Sequence, residues 1–271
     1  MQYVRQIVGF GPRPIGSATH KRLENYLRSR LKAAGAEIEE DAFQADTPAG
    51  RFPMRNFIAK FAGTREGAIV IASHYDTNYG LKNYVGANDS GSSTGLLLEL
   101  ANQLRGKSKR EGYSIWLVFL DGEEAVKQWT ETDSVYGSRH LVQKWQSDGT
   151  IKNLKAFLLA DMIADADLNV DRDGNSTPWL QSVVYEAAKR LGYQSHFFSR
   201  TLPMEDDHLP FVKRGVPCVD LIDFNYGYNN VFWHSPQDTI DKLSPESLKI
   251  VGQTMLESAR ILDKMDPLPP K

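Results

Sequence analysis

Five short stretches hold residues that could do chemistry together. They are His74 and Asp76 in SHYDT, Asp89 in GANDSG, Asp121, Glu123 and Glu124 in LDGEE, Asp161 in LLADM, and His234 in FWHSPQD. Carboxylates that converge on one place repel each other and raise each other's pKa, so a compensating positive charge is needed. No Lys or Arg is adjacent to these acids in sequence, and a divalent metal would meet the need. Histidine with carboxylates suits zinc, and three protein ligands with an open fourth position is the catalytic pattern. A closed structural site would use more cysteine. The candidate ligands are His74, Asp89, Glu123 or Glu124, Asp161 and His234. Neighbouring glutamates at a strand end point in different directions, so one can bind metal while the other serves as acid or base. Taken singly, His74 and His234 would be unremarkable loop or core histidines, and Asp89 a helix cap. His20 and His140 fall in expected helices and His196 in an expected strand, and none of these is given a chemical role.

These residues are of use only if something brings them together. The chain alternates between expected strands and helices. A helix through HKRLENYLRSRLKAAG is capped by Ser17 and stopped by Gly35. EIEEDAFQA reads as an edge strand, followed by RNFIAKFAG. GAIVIASHYD, YSIWLVFLDGEE, LKAFLLADMI and VPCVDLIDF are apolar runs suited to strands buried on both faces. Helices are expected in SSTGLLLELANQLRG, SVYGSRHLVQKWQ and TPWLQSVVYEAAKRLG. A long final helix has Ser244 as cap and Pro245 at its first position. This order predicts an α/β fold, a three-layer α/β/α sandwich around a mostly parallel sheet, with ligands at the carboxyl ends of the strands. There the strands carry His74, Asp121 with Glu123 and Glu124, and Asp161.

The 271 residues suffice for a large core without staples and are read as one domain, 1–271. Thirty-two basic and 34 acidic residues leave a formal charge of -2, which argues against a general nucleic-acid binder. No apolar run is long enough to span a bilayer. The single cysteine, Cys218, cannot form an internal disulfide. No signal peptide is visible at the start. The compartment stays open, and a periplasmic or secreted location is compatible with a leader already removed. The Pro-rich end DPLPPK reads as a frayed tail.

The stretches HYDT, GANDSG, FLDGEEAVKQWTETDSVYGSRHL, DDHLPFVKRGVPCVDLI and WHSPQDT give the chain a resemblance to the zinc exopeptidase superfamily. Within it, the chain most resembles the animal-type glutaminyl cyclases. The long Trp129-bearing segment after the paired glutamates, and the triplet Asp206, Asp207 and His208, set it apart from the aminopeptidases of that superfamily. The resemblance implies one zinc per chain held by Asp89, Glu124 and His234, with Glu123 as general acid and base. It implies Asp161 and Asp206 as supporting acids near the substrate amide, and Trp129 and Trp233 as pocket residues. His74 and His208 stand as further residues around the ligands or at a second metal. The Asp89–Ser90 peptide bond is expected to be cis. The implied reaction converts the N-terminal glutamine of peptides or proteins to pyroglutamate with loss of ammonia, in a monomer.

Several positions depart from that pattern. Glu205 stands where animal cyclases often have Gln. A long NYGYNNVF loop leaves open which of Phe224, Tyr226, Tyr228 and Phe232 lines the pocket. Ser73 and Thr94 stand near the places of a cysteine pair found in many animal forms. The alternative is a metal-dependent aminopeptidase, in which His74 and Asp161 add a second metal beside a bridging Asp89. A binding module without catalysis would have lost a ligand or the base, and every position is filled.

Overall fold

Residues 68–72 are all buried, and a strand apolar on both sides needs cover on both sides. The computed structural model of the chain, which describes residues 1–106, 109–265 and 267–269, provides that cover. Its elements are, in order, α1 (Gln2–Val8), α2 (Ala18–Ala33), β1 (Glu37–Thr47), β2 (Gly50–Phe61), β3 (Gly63–His74), α3 (Gly91–Leu104), β4 (Arg110–Leu120) and α4 (Tyr136–Ser147). Then come β5 (Leu154–Asp161), β6 (Val170–Asp173), α5 (Pro178–Arg190), β7 (Phe197–Leu202), α6 (Leu209–Val212), β8 (Cys218–Ile222) and α7 (Pro245–Lys264). The principal sheet runs β1-β2-β4-β3-β5-β8. β1, β2 and β4 pair antiparallel, while β4, β3, β5 and β8 pair parallel. The sheet is therefore mixed and mostly parallel, as the alternation predicts, with β1 at its edge.

The side chains of each central strand divide between two layers. Ile69 and Ile71, Leu117 and Phe119, and Leu158 and Ala160 face the cluster built with α1, α2, α3, α5 and α7. Val70 and Ala72, Val118 and Leu120, and Phe157 and Leu159 face Leu141, Val142 and Trp145 of α4 and Phe211 of α6. On that second face Phe157 stacks on Phe211 with ring centroids 4.4 Å apart. The chain leaves β3 through α3 to reach β4, then passes through α4 to β5 on the other side of β3. The chain leaves β5 in the opposite direction, toward β8, so the crossovers from β3 and β5 diverge between the carboxyl ends of those strands, the place where open α/β sheets leave a crevice for ligands.

The local signals work as expected at both anchoring helices. Ser17 Oγ accepts a hydrogen bond from the His20 backbone N–H at 3.0 Å, a cap of about 1 kcal/mol. Gly35 ends α2 at φ +72°, where a side chain would be strained. Ser244 caps α7 through the N–H groups of Glu246 and Ser247. Two features were not expected. Helix α1 forms ahead of α2, and β6 with β7 makes a separate two-stranded parallel sheet. His196 lies in the short 3-10 turn Gln194–His196 that precedes β7, not in the strand. The turn forms because the His196 N–H bonds the Tyr193 carbonyl at 3.0 Å. Cys218 is buried. Among the described residues no helix is long and apolar enough to cross a membrane. The proline-rich end lies partly outside the described residues.

Candidate active site

The acids and histidines of five separate segments meet in the crevice above β3. His74 is the last residue of β3, and its Nε2 lies 3.1 Å from Asp89 Oδ1 and 3.1 Å from Asp161 Oδ1, the latter at the end of β5. His234, from the loop before α7, places Nε2 3.4 Å from Asp89 Oδ2 and 3.3 Å from Glu124 Oε1. The peptide bond between Asp89 and Ser90 is cis, as expected.

Two groups of donors could hold a metal: Asp89 with Glu124 and His234, and His74 with Asp89 and Asp161. The first fits a zinc ion in two ways. A tetrahedral zinc with bonds of about 2.0–2.1 Å spaces its ligand atoms roughly 3.3 Å apart, matching the 3.3 and 3.4 Å separations from His234. In addition, Glu124 Oε1 is buried with no hydrogen-bond partner, facing that shared space. Both candidate carboxylate ligands have further hydrogen-bond partners. Glu124 Oε2 accepts from Asn78 Nδ2 at 3.0 Å. Asp89 Oδ2, while facing His234, also accepts from the Tyr84 hydroxyl at 2.7 Å. A third acidic cluster, His20 with Glu24 and Asp121, already has partners for its charged groups. His20 Nε2 pairs with Asp121 Oδ1 at 2.7 Å, and Asp121 Oδ2 accepts the Arg55 N–H at 2.7 Å.

The paired glutamates are separated by the turn that carries them. Asp76 Oδ1 accepts from the Glu123 N–H at 3.2 Å and Asp76 Oδ2 from the Glu124 N–H at 3.3 Å. This pins the turn so that Glu124 faces His234, while Glu123 Oε2 stands 3.9 Å from His74 Nδ1. Burial holds the Glu123 carboxyl well above the usual carboxylate range. His74 offsets this only in part, and Asp206 and Glu124 push the same way. Burial, together with Asp161, raises Asp206 to about 7. Burial also raises Asp161, against the pull of His74. Asp89 goes the other way: hydrogen bonds from His234 and His74 more than offset its burial.

A cavity of about 720 Å³ opens onto these groups. Glu123, Glu124, Asp89, Asp161, Asp206 and His234 lie at its polar end, and Trp129, Trp233 and Phe224 are among its walls. Phe224 meets Trp233 edge to face with centroids 5.0 Å apart. Of the four aromatics left open by the sequence, Phe224 is thus the wall. Tyr226 is buried and donates to Asp238 Oδ1 at 2.9 Å, Phe232 packs on Tyr226, and Tyr228 is 86% exposed. The Trp129 indole N–H donates to Glu205 Oε2 at 3.1 Å, tying the two rims. The segment carrying Trp129 is shaped by Asp133, which accepts the N–H groups of Val126, Lys127 and Gln128 at 2.9, 2.9 and 3.0 Å.

His208 joins neither metal group. It is fully buried with Nε2 3.0 Å from Asp173 Oδ2. Ser73 and Thr94 do face each other, with hydroxyl oxygens 3.4 Å apart, so hydroxyls occupy the contact that the resemblance assigns to a cysteine pair. Sequence reasoning missed Tyr84, Asn78, Asp133 and Asp238 as supports. Asp238 accepts the N–H groups of Asn88 and Asp89 at 2.8 and 3.2 Å. Its only signal was its place in WHSPQDT. The others support the site through contacts that form only once the loops fold together.

Known proteins share the sequence and the fold. The model of peptidase family M28 matches residues 56–259. A glutaminyl-peptide cyclotransferase-like protein of Mus musculus is 34% identical over 264 residues, covering 87% of this chain and 68% of the relative. The crystal structure of an Acidobacteriales bacterium glutaminyl cyclase superposes with a TM-score of 0.93 at 49% identity, over 97% of this chain and 93% of that one. A structure described as a leucine aminopeptidase precursor from Bacteroides thetaiotaomicron is also similar, at 27% identity and a TM-score of 0.85, over 95% of this chain and 94% of that one. The fold, the matched family and these relatives together make the chain a member of peptidase family M28, within its glutaminyl-peptide cyclotransferase branch.

Proposed function

We propose that the chain converts the N-terminal glutamine of peptides or proteins to pyroglutamate with release of ammonia, using one zinc held by Asp89, Glu124 and His234. The observation that carries this reading is the pairing of a three-ligand set with an adjacent buried Glu123 that has no ligand duty, at the end of an aromatic-walled cavity. Zinc bound there would act as a Lewis acid toward the side-chain amide carbonyl. The nucleophile is the substrate's own α-amine, so tethering supplies much of the proximity. The bond formed joins that amine to the side-chain carbonyl carbon, and the bond broken releases the amide nitrogen as ammonia.

Glu123 takes the proton from the amine and returns it to the departing nitrogen. Its raised pKa suits both transfers, because a carboxyl poised nearer neutrality both accepts and gives up a proton readily. Asp161 and Asp206 stand beside the amide position and accept hydrogen bonds from its nitrogen. Trp129, Trp233 and Phe224 flank the substrate and limit bulk water.

A second reading has one specific support: His74, Asp89 and Asp161 offer a further metal group that shares Asp89. Two metals would suit an aminopeptidase that hydrolyses the first peptide bond. Mass spectrometry of a short Gln-initiated peptide, with and without a chelator, separates the two. Metal-dependent loss of one ammonia with the peptide otherwise intact supports cyclisation. Release of the free N-terminal residue overturns it in favour of hydrolysis, and metal content per chain then becomes the next measurement.

A further inference from the structure

The segment GPRPIGS, residues 11–17, precedes the stretch matched by the family model, yet it reaches under the site. The Arg13 side chain is wholly buried. Its Nε donates to the Tyr75 carbonyl at 3.0 Å, Nη1 to the Val85 carbonyl at 2.5 Å, and Nη2 to the Gly86 carbonyl at 2.9 Å and Ser90 Oγ at 3.3 Å. Its backbone N–H donates to Thr77 Oγ1 at 2.9 Å, and the Thr77 N–H returns to the Arg13 carbonyl at 3.3 Å. The start, the turn and the end of the loop 75–90 thus converge on one planar group. That loop also carries Asp76, Asn78, Tyr84 and, next to its end, Asp89.

A buried guanidinium is costly unless its donors are satisfied, and here the acceptors come from loop backbone and Ser90 rather than from a carboxylate partner. Burial lowers the Arg13 pKa, opposed by Tyr84 and by the carboxylates of Asp89, Asp238 and Asp76. The loop is folded back closely on itself. Gly86 has φ +51°, and a Cβ there would meet the Asp89 carbonyl oxygen at 1.9 Å. Where Asp89 sits therefore depends on how the loop is gripped as well as on its own rotamer. Only a fork of fixed geometry reaches these separate acceptors at once; a lysine ammonium is a single point.

We propose that Arg13 is a positioning residue for the metal: its guanidinium fixes the loop 75–90 in the conformation that aims Asp89 into the ligand set. This rests on the reading of Asp89 as a metal ligand given above.

The test measures zinc affinity by competition with a chromogenic chelator, and the visible absorption of the cobalt-substituted protein, for wild type and Arg13→Lys. Removing a partner that orients a ligand typically costs about 10–100-fold in metal affinity. That loss, with an altered cobalt spectrum, is the expected result. Wild-type affinity and an unchanged cobalt spectrum in Arg13→Lys overturn the proposal, whatever its melting temperature. If Arg13→Lys does not fold, Ser90→Ala decides: it removes one acceptor beside Asp89 and is expected to weaken zinc several-fold, and no change overturns the proposal. A wild-type protein that binds no zinc removes the ligand reading itself, and this inference with it. Intact zinc binding that Arg13 does not influence removes this inference alone.

Discussion

Replacing Glu123 by Gln tests the division of labour between the paired glutamates. The substitution keeps shape and volume but removes both the charge and the proton acceptor. Among the described residues the nearest cationic group is His74 Nδ1 at 3.9 Å, beyond hydrogen-bonding distance, and the turn is held by Asp76 through backbone N–H groups. The charge is costly where it sits, since burial and the neighbouring Asp206 and Glu124 all raise the Glu123 pKa. The folded variant should therefore melt at or above the wild-type temperature. Positioned acid–base groups contribute about 10²–10⁴-fold, or about 2.7–5.4 kcal/mol of barrier at 1.36 kcal/mol per tenfold. With one carboxyl serving both proton transfers, as proposed above, kcat should fall toward the upper part of that range. KM should change little, since the interaction exists only in the transition state. The assay is ammonia release from a Gln-initiated peptide, with bound zinc measured by mass spectrometry after buffer exchange. A kcat within tenfold of wild type refutes the role of Glu123. Loss of zinc from the variant shows that the roles of Glu123 and Glu124 have been exchanged.

Other consequences are equally direct. Asp89→Ala should strip the metal, because Asp89 belongs to both candidate donor groups; full zinc occupancy in that variant would sink the ligand set. Ser73→Cys with Thr94→Cys should form a disulfide, since the two hydroxyls lie 3.4 Å apart. Closing a loop of this size is worth roughly 3 kcal/mol, read as a melting temperature that drops when reductant is added; two free thiols by titration would contradict it. The His20–Asp121 pair makes stability depend on pH. The His20 pKa is raised because Asp121 outweighs its burial, and the Asp121 pKa is itself raised by burial. A raised folded pKa stabilises fully below the unfolded value and loses that contribution as pH rises through the folded one. Wild type should thus lose more stability than His20→Gln between about pH 6.5, the unfolded histidine value, and alkaline pH; equal losses in thermal melts would refute the assignment.

Much of this protein can be read along the chain. Apolar runs such as GAIVIASH and SIWLVFL specify strands buried on both faces, because only helices on both sides can cover them. Ser17, Gly35, Ser244 and Pro245 mark helix ends through hydrogen bonds and backbone angles made within a few residues. Acids at the ends of successive strands announce a site, because parallel strands bring their carboxyl ends to one edge. What remained for the tertiary structure was every decision that depends on direction. Asp76 determines which glutamate faces His234. The burial of Tyr226 leaves Phe224 as the wall, and His208 turns toward Asp173, away from the metal groups. Arg13 grips, and Tyr84 belongs to, a loop whose path no local pattern encodes. Residue type and spacing are properties of the chain, and they determine which groups arrive at the site. Orientation and desolvation arise only when separate segments pack, and they determine what those groups do there.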